Sequence, residues 1–175
     1  VGSTVGDDFS TVNNGTLVMT NPLDSLLVGG TGPSVTFTGG SEVGKLTAGV
    51  IRITSTGVAS FDQQNTFSDS SYAPSGTHKV VTAATGVMLL SMDTPGTGSH
   101  FNILDISGQQ GGVTLSTPIR VNGLFISTPA STAPAINCGN RLLTLAGGAL
   151  VTGLTLTNAP VAITGDSPVT FDNVT

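Results

Sequence analysis

Apolar residues alternate with threonine or serine in short runs along most of the chain. Val35-Thr36-Phe37-Thr38, Val50-Ile51-Arg52-Ile53-Thr54, Val113-Thr114-Leu115-Ser116 and Leu124-Phe125-Ile126-Ser127 are of this kind. So are Leu142-Leu143-Thr144-Leu145, Leu154-Thr155-Leu156-Thr157, Val161-Ala162-Ile163-Thr164 and Val169-Thr170-Phe171. A period of two sends one set of side chains inward and coats the other face with hydroxyls, so each run predicts a half-buried β-strand. Turn material separates the runs: Gly29-Gly30, Gly39-Gly40, Gly111-Gly112, Gly147-Gly148 and several prolines. A helix needs roughly ten uninterrupted residues with apolar positions three and four apart. Gly or Pro breaks almost every such window, and Val80 to Met92, interrupted by Gly86 and rich in β-branched residues, reads as strand.

The strands recur with a common theme. Ala48-Gly49-Val50-Ile51-Arg52-Ile53-Thr54 is similar to Asn122-Gly123-Leu124-Phe125-Ile126-Ser127 and to Thr152-Gly153-Leu154-Thr155-Leu156-Thr157. A recurring turn–strand unit predicts an all-β fold, a right-handed parallel β-helix in which each coil stacks on the last. A β-sandwich is the alternative, although an immunoglobulin-type sandwich would carry a Trp and a Cys pair that this chain lacks. Residues 1–175 read as a single β-rich domain, with 1–15 as an N-terminal arm or cap and 62–76 as a loop insertion without alternation. The coil interior is expected to contain Phe37, Val50, Ile53, Leu115, Leu124, Ile126, Leu143, Leu145, Leu154 and Leu156. Thr36-x-Thr38 and Thr54-x-Thr56, eighteen residues apart, suggest stacked threonine pairs as on ice-binding surfaces, but so small an array argues against that role.

Charge then narrows the possibilities. Only 9% of the 175 residues are charged, against about 25% in an ordinary globular protein. With 38% hydrophobic residues the chain does not resemble a disordered one, and with 24 Gly it suits many turns outside the cytoplasm. Net charge is −5, and the five cations (Lys45, Arg52, Lys79, Arg120, Arg141) lie scattered. This excludes the clustered basic footprint that nucleic acid or an anionic membrane surface requires. No run approaches the ~20 apolar residues of a spanning helix. Val1, without Met or an apolar leader, reads as a processed or truncated start, and Thr175 directly follows a strand-like run, as though more chain continued.

Candidate chemistry is sparse. The two histidines, His78 and His100, each sit beside a turn and read as surface-loop residues, with no Gly-x-Ser-x-Gly elbow to accompany them. Asp62 and Asp69 are the best carboxylate pair for glycan cleavage, but no strand-borne acid or base joins them. Asp7-Asp8, Asp93, Asp166 and Asp172 fall in turns. Gly29-Gly30-Thr31-Gly32-Pro33-Ser34-Val35 nearly matches a calcium-binding Gly-Gly-x-Gly-x-Asp repeat, yet Ser34 replaces the ligating carboxylate. Cys138, the only cysteine, reads as a small core residue. No catalytic residue, metal ligand or cofactor site is therefore assigned, and the chain is expected not to be an enzyme.

One stretch carries a resemblance. Tyr72-Ala73-Pro74-Ser75-Gly76-Thr77-His78-Lys79-Val80-Val81 is followed by Thr85-Gly86-Val87 and His100-Phe101-Asn102-Ile103-Leu104-Asp105-Ile106-Ser107. Gly112-Val113-Thr114-Leu115 and Val121-Asn122-Gly123-Leu124 come next. The series resembles the repetitive units of large bacterial surface and secreted proteins, over roughly Val35 to Val174, with an insert at Ser91 to Ser99. That resemblance implies a β-helical stalk or passenger without catalytic residues. The function expected is thus a structural scaffold in the periplasm, at the cell surface or secreted, contacting protein partners or neighbouring domains through uncharged strand faces or edges. The alternatives are an accessory subunit on the outer face of a membrane complex, such as a respiratory or photosynthetic one, and an adhesin or glycan-binding module. Aromatic content of 5% with no Trp disfavours the last.

Overall fold

The computed structural model describes residues 10–13, 17–29, 34–37, 44–61, 72–92, 99–172 and 174–175. The strands are β1 (Ser10–Asn13), β2 (Ser25–Val28), β3 (Ser34–Phe37), β4 (Val50–Ile53), β5 (Val58–Phe61) and β6 (Lys79–Thr82). They continue as β7 (Met88–Met92), β8 (Phe101–Asp105), β9 (Val113–Leu115), β10 (Ile119–Ser127) and β11 (Ala135–Asn137). The last are β12 (Leu143–Leu145), β13 (Gly148–Val151), β14 (Thr155–Thr157), β15 (Val161–Ile163) and β16 (Val169–Phe171). Among the described residues there is no helix, and therefore none long and apolar enough to cross a membrane.

These strands form two sheets. A seven-stranded sheet runs β1-β3-β5-β7-β9-β11-β14, and a nine-stranded one runs β15-β12-β10-β8-β6-β4-β2, with β13 and β16 continuing from the second half of β10. Every strand pairing among the described residues is parallel. The chain is a parallel β-solenoid, and the antiparallel β-sandwich is set aside. Ser10 lies beside Ser34 and Ser34 beside Val58, so a coil takes 24 residues there, not eighteen. Thr36 and Thr54 consequently belong to different sides of the coil: β3 is in the seven-stranded sheet, whereas Thr54 follows β4 in the other. A short third side links them, where Met19 N–H donates to Lys45 O at 2.9 Å and Ser75 N–H to Leu46 O at 2.9 Å.

Between the sheets, like stacks on like. Ile51, Val80 and Leu104 are neighbours in register, as are Ala59, Leu90 and Leu115, and all six are buried. Ile53, Leu115, Leu143, Leu145 and Leu154 lie inside as expected, and Leu156 packs partly buried against the core. Val50, Leu124 and Ile126 do not. Each is only half-buried and alternates with a buried neighbour: Ile51, and then Phe125 at 0% exposure. In β10 the inward set is Ile119, Val121, Phe125 and Ser127; the register with β8 shifts between Val121 and Leu124, where the backbone of half-buried Gly123 passes against that of Asn102, and Leu124 and Ile126 face out. The side chain of Phe37 lies outside the described residues.

Of the segment 1–15, Ser10–Asn13 forms β1; residues 1–9 and 14–16 lie outside the described residues, as do 62–71 of the loop insertion and 93–98 of the insert. Val80 to Met92 is two strands, β6 and β7, folded at Gly86 onto different sheets. The Gly147-Gly148 pair marks a bend within one side of the coil, with Gly148 opening β13. A Cβ on Gly147 would overlap the carbonyls of Gly123 and Asn122, and one on Gly165 would overlap that of Ala146. The bend therefore stacks backbone on backbone, and glycine is the side chain small enough for it.

Gly147→Ala should accordingly lower stability by about 2–4 kcal/mol, as expected of overpacking against an unyielding carbonyl. At Gly153, where the nearest atom to an added Cβ is Pro129 Cγ at 3.3 Å, the same change should cost less than half as much. Urea unfolding of the two variants checks the ordering.

Candidate functional site

The residues able to do chemistry lead into the core. Tyr72 sits at the start of the short third side, 3% exposed, and its ring meets those of Phe61 and Phe101 edge-on at 4.8 Å and 6.0 Å. His78 lies just before β6, and residues before and after it alternate across the sheet, so its imidazole points inward at 0% exposure. Its Nδ1 is 2.8 Å from Ala48 O, an acceptor only, so Nδ1–H donates there. The hydroxyl of Tyr72 then donates to Nε2 at 3.0 Å, and both ring nitrogens are satisfied in the neutral form. Burial lowers the pKa of His78 below its ordinary 6.5, partly offset by the Ala48 bond, which raises it. His100, 9% exposed, lies one coil further on, and its Nε2 is 3.1 Å from Pro74 O. Both histidines were expected on surface loops; the structure places them inside because the short third side faces the core, not solvent.

Gln109, which sequence reasoning did not single out, is 1% exposed and ties its own turn to the turn at Ala84–Gly86 of the adjacent coil. Its Oε1 accepts from Ala84 N–H at 3.0 Å, while Nε2 donates to Gly86 O at 2.9 Å and Gly112 O at 2.8 Å. Ser127 Oγ donates to Gly153 O at 2.7 Å, and Thr117 Oγ1 donates to Met92 O at 2.8 Å while accepting from Met92 N–H. Each links one coil to the next. The only signal for Gln109 in the sequence is its position between two glycine-rich turns.

The carboxylates do not converge. Asp62 and Asp69 lie outside the described residues, as do Asp7, Asp8, Glu42 and Asp93, and residues 30–33 of the calcium-like run. Asp166 and Asp172 are exposed on the last coil. Asp24 closes a turn, its Oδ2 accepting from Thr20 and Asn21 N–H at 2.9 Å each. Among the described residues no group of three or more His, Cys, Asp or Glu is placed to hold a metal ion. Cys138 is buried at 0% exposure, and desolvation pushes its thiol pKa up, away from reactivity.

Chemistry of a different kind lies on the outer face of the nine-stranded sheet. One register row there is Val50, Lys79, Ile103 and Leu124; the next is Leu27, Arg52, Val81, Asp105, Ile126 and Leu150. Arg120 stands further along β10, beside Thr144. Arg52 and Lys79 thus share one face, although they are distant in sequence, while Arg120 lies on the other side of the bend in β10. Lys79 pairs with Asp105 at 3.8 Å, the one ion pair among the described residues. The opposite sheet differs: its outer row runs Leu89, Thr114, Asn137, Thr157. Strand faces were expected to be uncharged. Arg52, Lys79 and Arg120 each occupy the outward step of a strand, beside buried Ile51, Val80 and Ile119.

Comparison with protein-family models, with curated proteins and with solved structures finds no match.

Acidification tests the interior assignment. Below pH 6.5 the unfolded chain takes up a proton at His78 that the folded chain refuses, so this contribution is full above 6.5 and declines as pH falls toward the folded value. In His78→Gln the fall in unfolding free energy between pH 7.5 and pH 5 should be smaller than in the parent. At pH 7.5, Tyr72→Phe should cost about 1–3 kcal/mol by leaving Nε2 without its donor. An equal pH slope in parent and His78→Gln would place the imidazole in solvent.

Proposed function

We propose that this chain is a non-catalytic scaffold module, acting outside the cytoplasm through its shape and through contact with protein. The observation that carries the reading is where its reactive groups are spent. His78, Gln109, Ser127 and Thr117 each hold a hydrogen bond to the backbone of an adjacent coil. Groups so engaged set the spacing of coils and stiffen the stack; they are not presented to a substrate. A stack in which each coil touches only its neighbours gains length without changing width, which suits a stalk, spacer or mounting surface. The low charge and abundant hydroxyls support a place in the periplasm, at the cell surface or in the medium. The resemblance to repeats of bacterial surface and secreted proteins supports the same setting.

A second reading, an accessory subunit docked on a larger assembly, is favoured by the half-buried Ile103, Leu124 and Ile126 on an outer sheet face. Parallel sheets are ordinarily covered on both faces. The two readings share one experiment. Leu124→Asp with Ile126→Asp should leave circular dichroism intact and the unfolding midpoint within a few degrees, because both side chains point outward. The same variant, expressed in the source organism, should lose the native complex that size-exclusion chromatography with light scattering finds for the parent. A parent that runs alone at the mass of one free chain contradicts a role in contact.

A further inference from the structure

One inward register column runs from the first described coil of the nine-stranded sheet to the last. It starts at Leu26 on β2 and passes through Ile51, Val80, Leu104 and Phe125 to end at Val169 on β16. Its inner members, with a rung on each side, are at most 3% exposed, whereas Leu26 and Val169 are only half-buried. Two positions further along the strands the pattern repeats. Val28, stacked on buried Ile53, is half-buried, and Phe171, stacked on buried Val151, is 41% exposed. Ile163, stacked on buried Leu145, is 50% exposed at the same end of the solenoid. β2 and β16 each have one strand neighbour among the described residues, so each presents an edge of backbone N–H and C=O groups. Both ends lack a rung, and each carries the rung that the other lacks.

We infer that copies of this chain stack head to tail, β2 of one copy adding in parallel to β16 of the next, with Leu26 set on Val169 and Val28 on Phe171. The inference rests on the scaffold reading and names one partner, a second copy. The junction repeats the contact already made between successive coils: the same strand sense, the same inward columns and a spacing of about 4.8 Å. At this end Val174 pairs with Leu154 in that parallel sense, as the start of a further rung. Joining the two ends covers apolar side chains and pairs two strand edges in one step. A twofold arrangement, end against like end, would reverse the winding and run strands antiparallel across the seam. Every pairing among the described residues is parallel. A head-to-tail seam leaves one end of each kind free, so the assembly grows as a rod along the solenoid axis.

The test follows the purified 175-residue chain by sedimentation velocity and negative-stain electron microscopy. As concentration rises, the parent should pass from single chains to dimers and then to longer rods of uniform width. Leu26→Lys and Phe171→Lys each place an ammonium at a strand edge, where its long stem reaches solvent, so both should keep the parent's circular dichroism. Each should weaken association by about tenfold or more, because stacking strips water from the charge. Val28→Lys stands in for Leu26→Lys if the latter fails to fold. An equal mixture of the two variants should form dimers and stop there, since one keeps a native β2 end and the other a native β16 end. Leu124→Asp with Ile126→Asp, on the outer sheet face, should leave the rods unchanged. A parent that stays a single chain at every concentration would overturn the inference. So would a Leu26→Lys variant that associates as the parent does, or a mixture that stays unpaired. The scaffold reading survives each of these results if the chain's own extract holds it in a complex with a different protein.

Discussion

Register between parallel coils is the constraint on which the rest of this molecule depends. Adjacent strands lie about 4.8 Å apart, so whatever side chain occupies a position must tolerate its counterpart directly above and below. Aliphatic residues meet this by stacking on one another, as Ile51, Val80 and Leu104 do. Glycine meets it where backbone must pass backbone, as at Gly123 and Gly147. Buried polar groups meet it by bonding to the next coil. The core therefore has few independent choices, and a substitution at one level is felt by the coils on either side.

The same constraint explains why a chain with so little charge carries a histidine at the centre of its core. On the short third side the backbone does not pair as continuously as in the two sheets, and carbonyls such as Ala48 O turn inward. A buried carbonyl needs a donor. His78 supplies one from Nδ1 and accepts one from Tyr72, so a single ring satisfies groups on two sides in a space lined by Phe61 and Phe101. Gln109 does the equivalent at the bend between the sheets, with one acceptor and two donors all engaged.

Much of this was legible from the alternation of apolar residues and hydroxyls. The runs at Val113 and Leu143 lie within strands whose inner and outer faces follow the expected order, and Cys138 is the small buried residue its lone occurrence implied. Phase was harder where apolar residues come consecutively. Leu124-Phe125-Ile126 can be read in either phase, and the buried Val121 and Ser127 on either side decide in favour of Phe125. Strand existence failed where the pattern was weak: Ala135-Ile136-Asn137 has one apolar residue directed inward, and Gly148 looked like a turn. Contacts 24 residues apart were the least visible. Neither the third side that buries His78 and His100 nor the approach of Lys79 to Asp105 on one face can be seen without the coil length.

Because face, core and buried network all follow from register, a direct probe of register decides the account. Thr144 and Ala162 lie opposite each other on β12 and β15 and point outward, at a separation that a disulfide can span. Thr164, two positions further along, is out of reach of Thr144 by the same geometry. With cysteine at 144 and 162, mild oxidation should close an intrachain disulfide in the folded protein, found by peptide mass mapping, while cysteines at 144 and 164 should remain reduced. Closure of the second pair as readily as the first, or failure of the first in a folded protein, would contradict in-register parallel stacking and everything built on it.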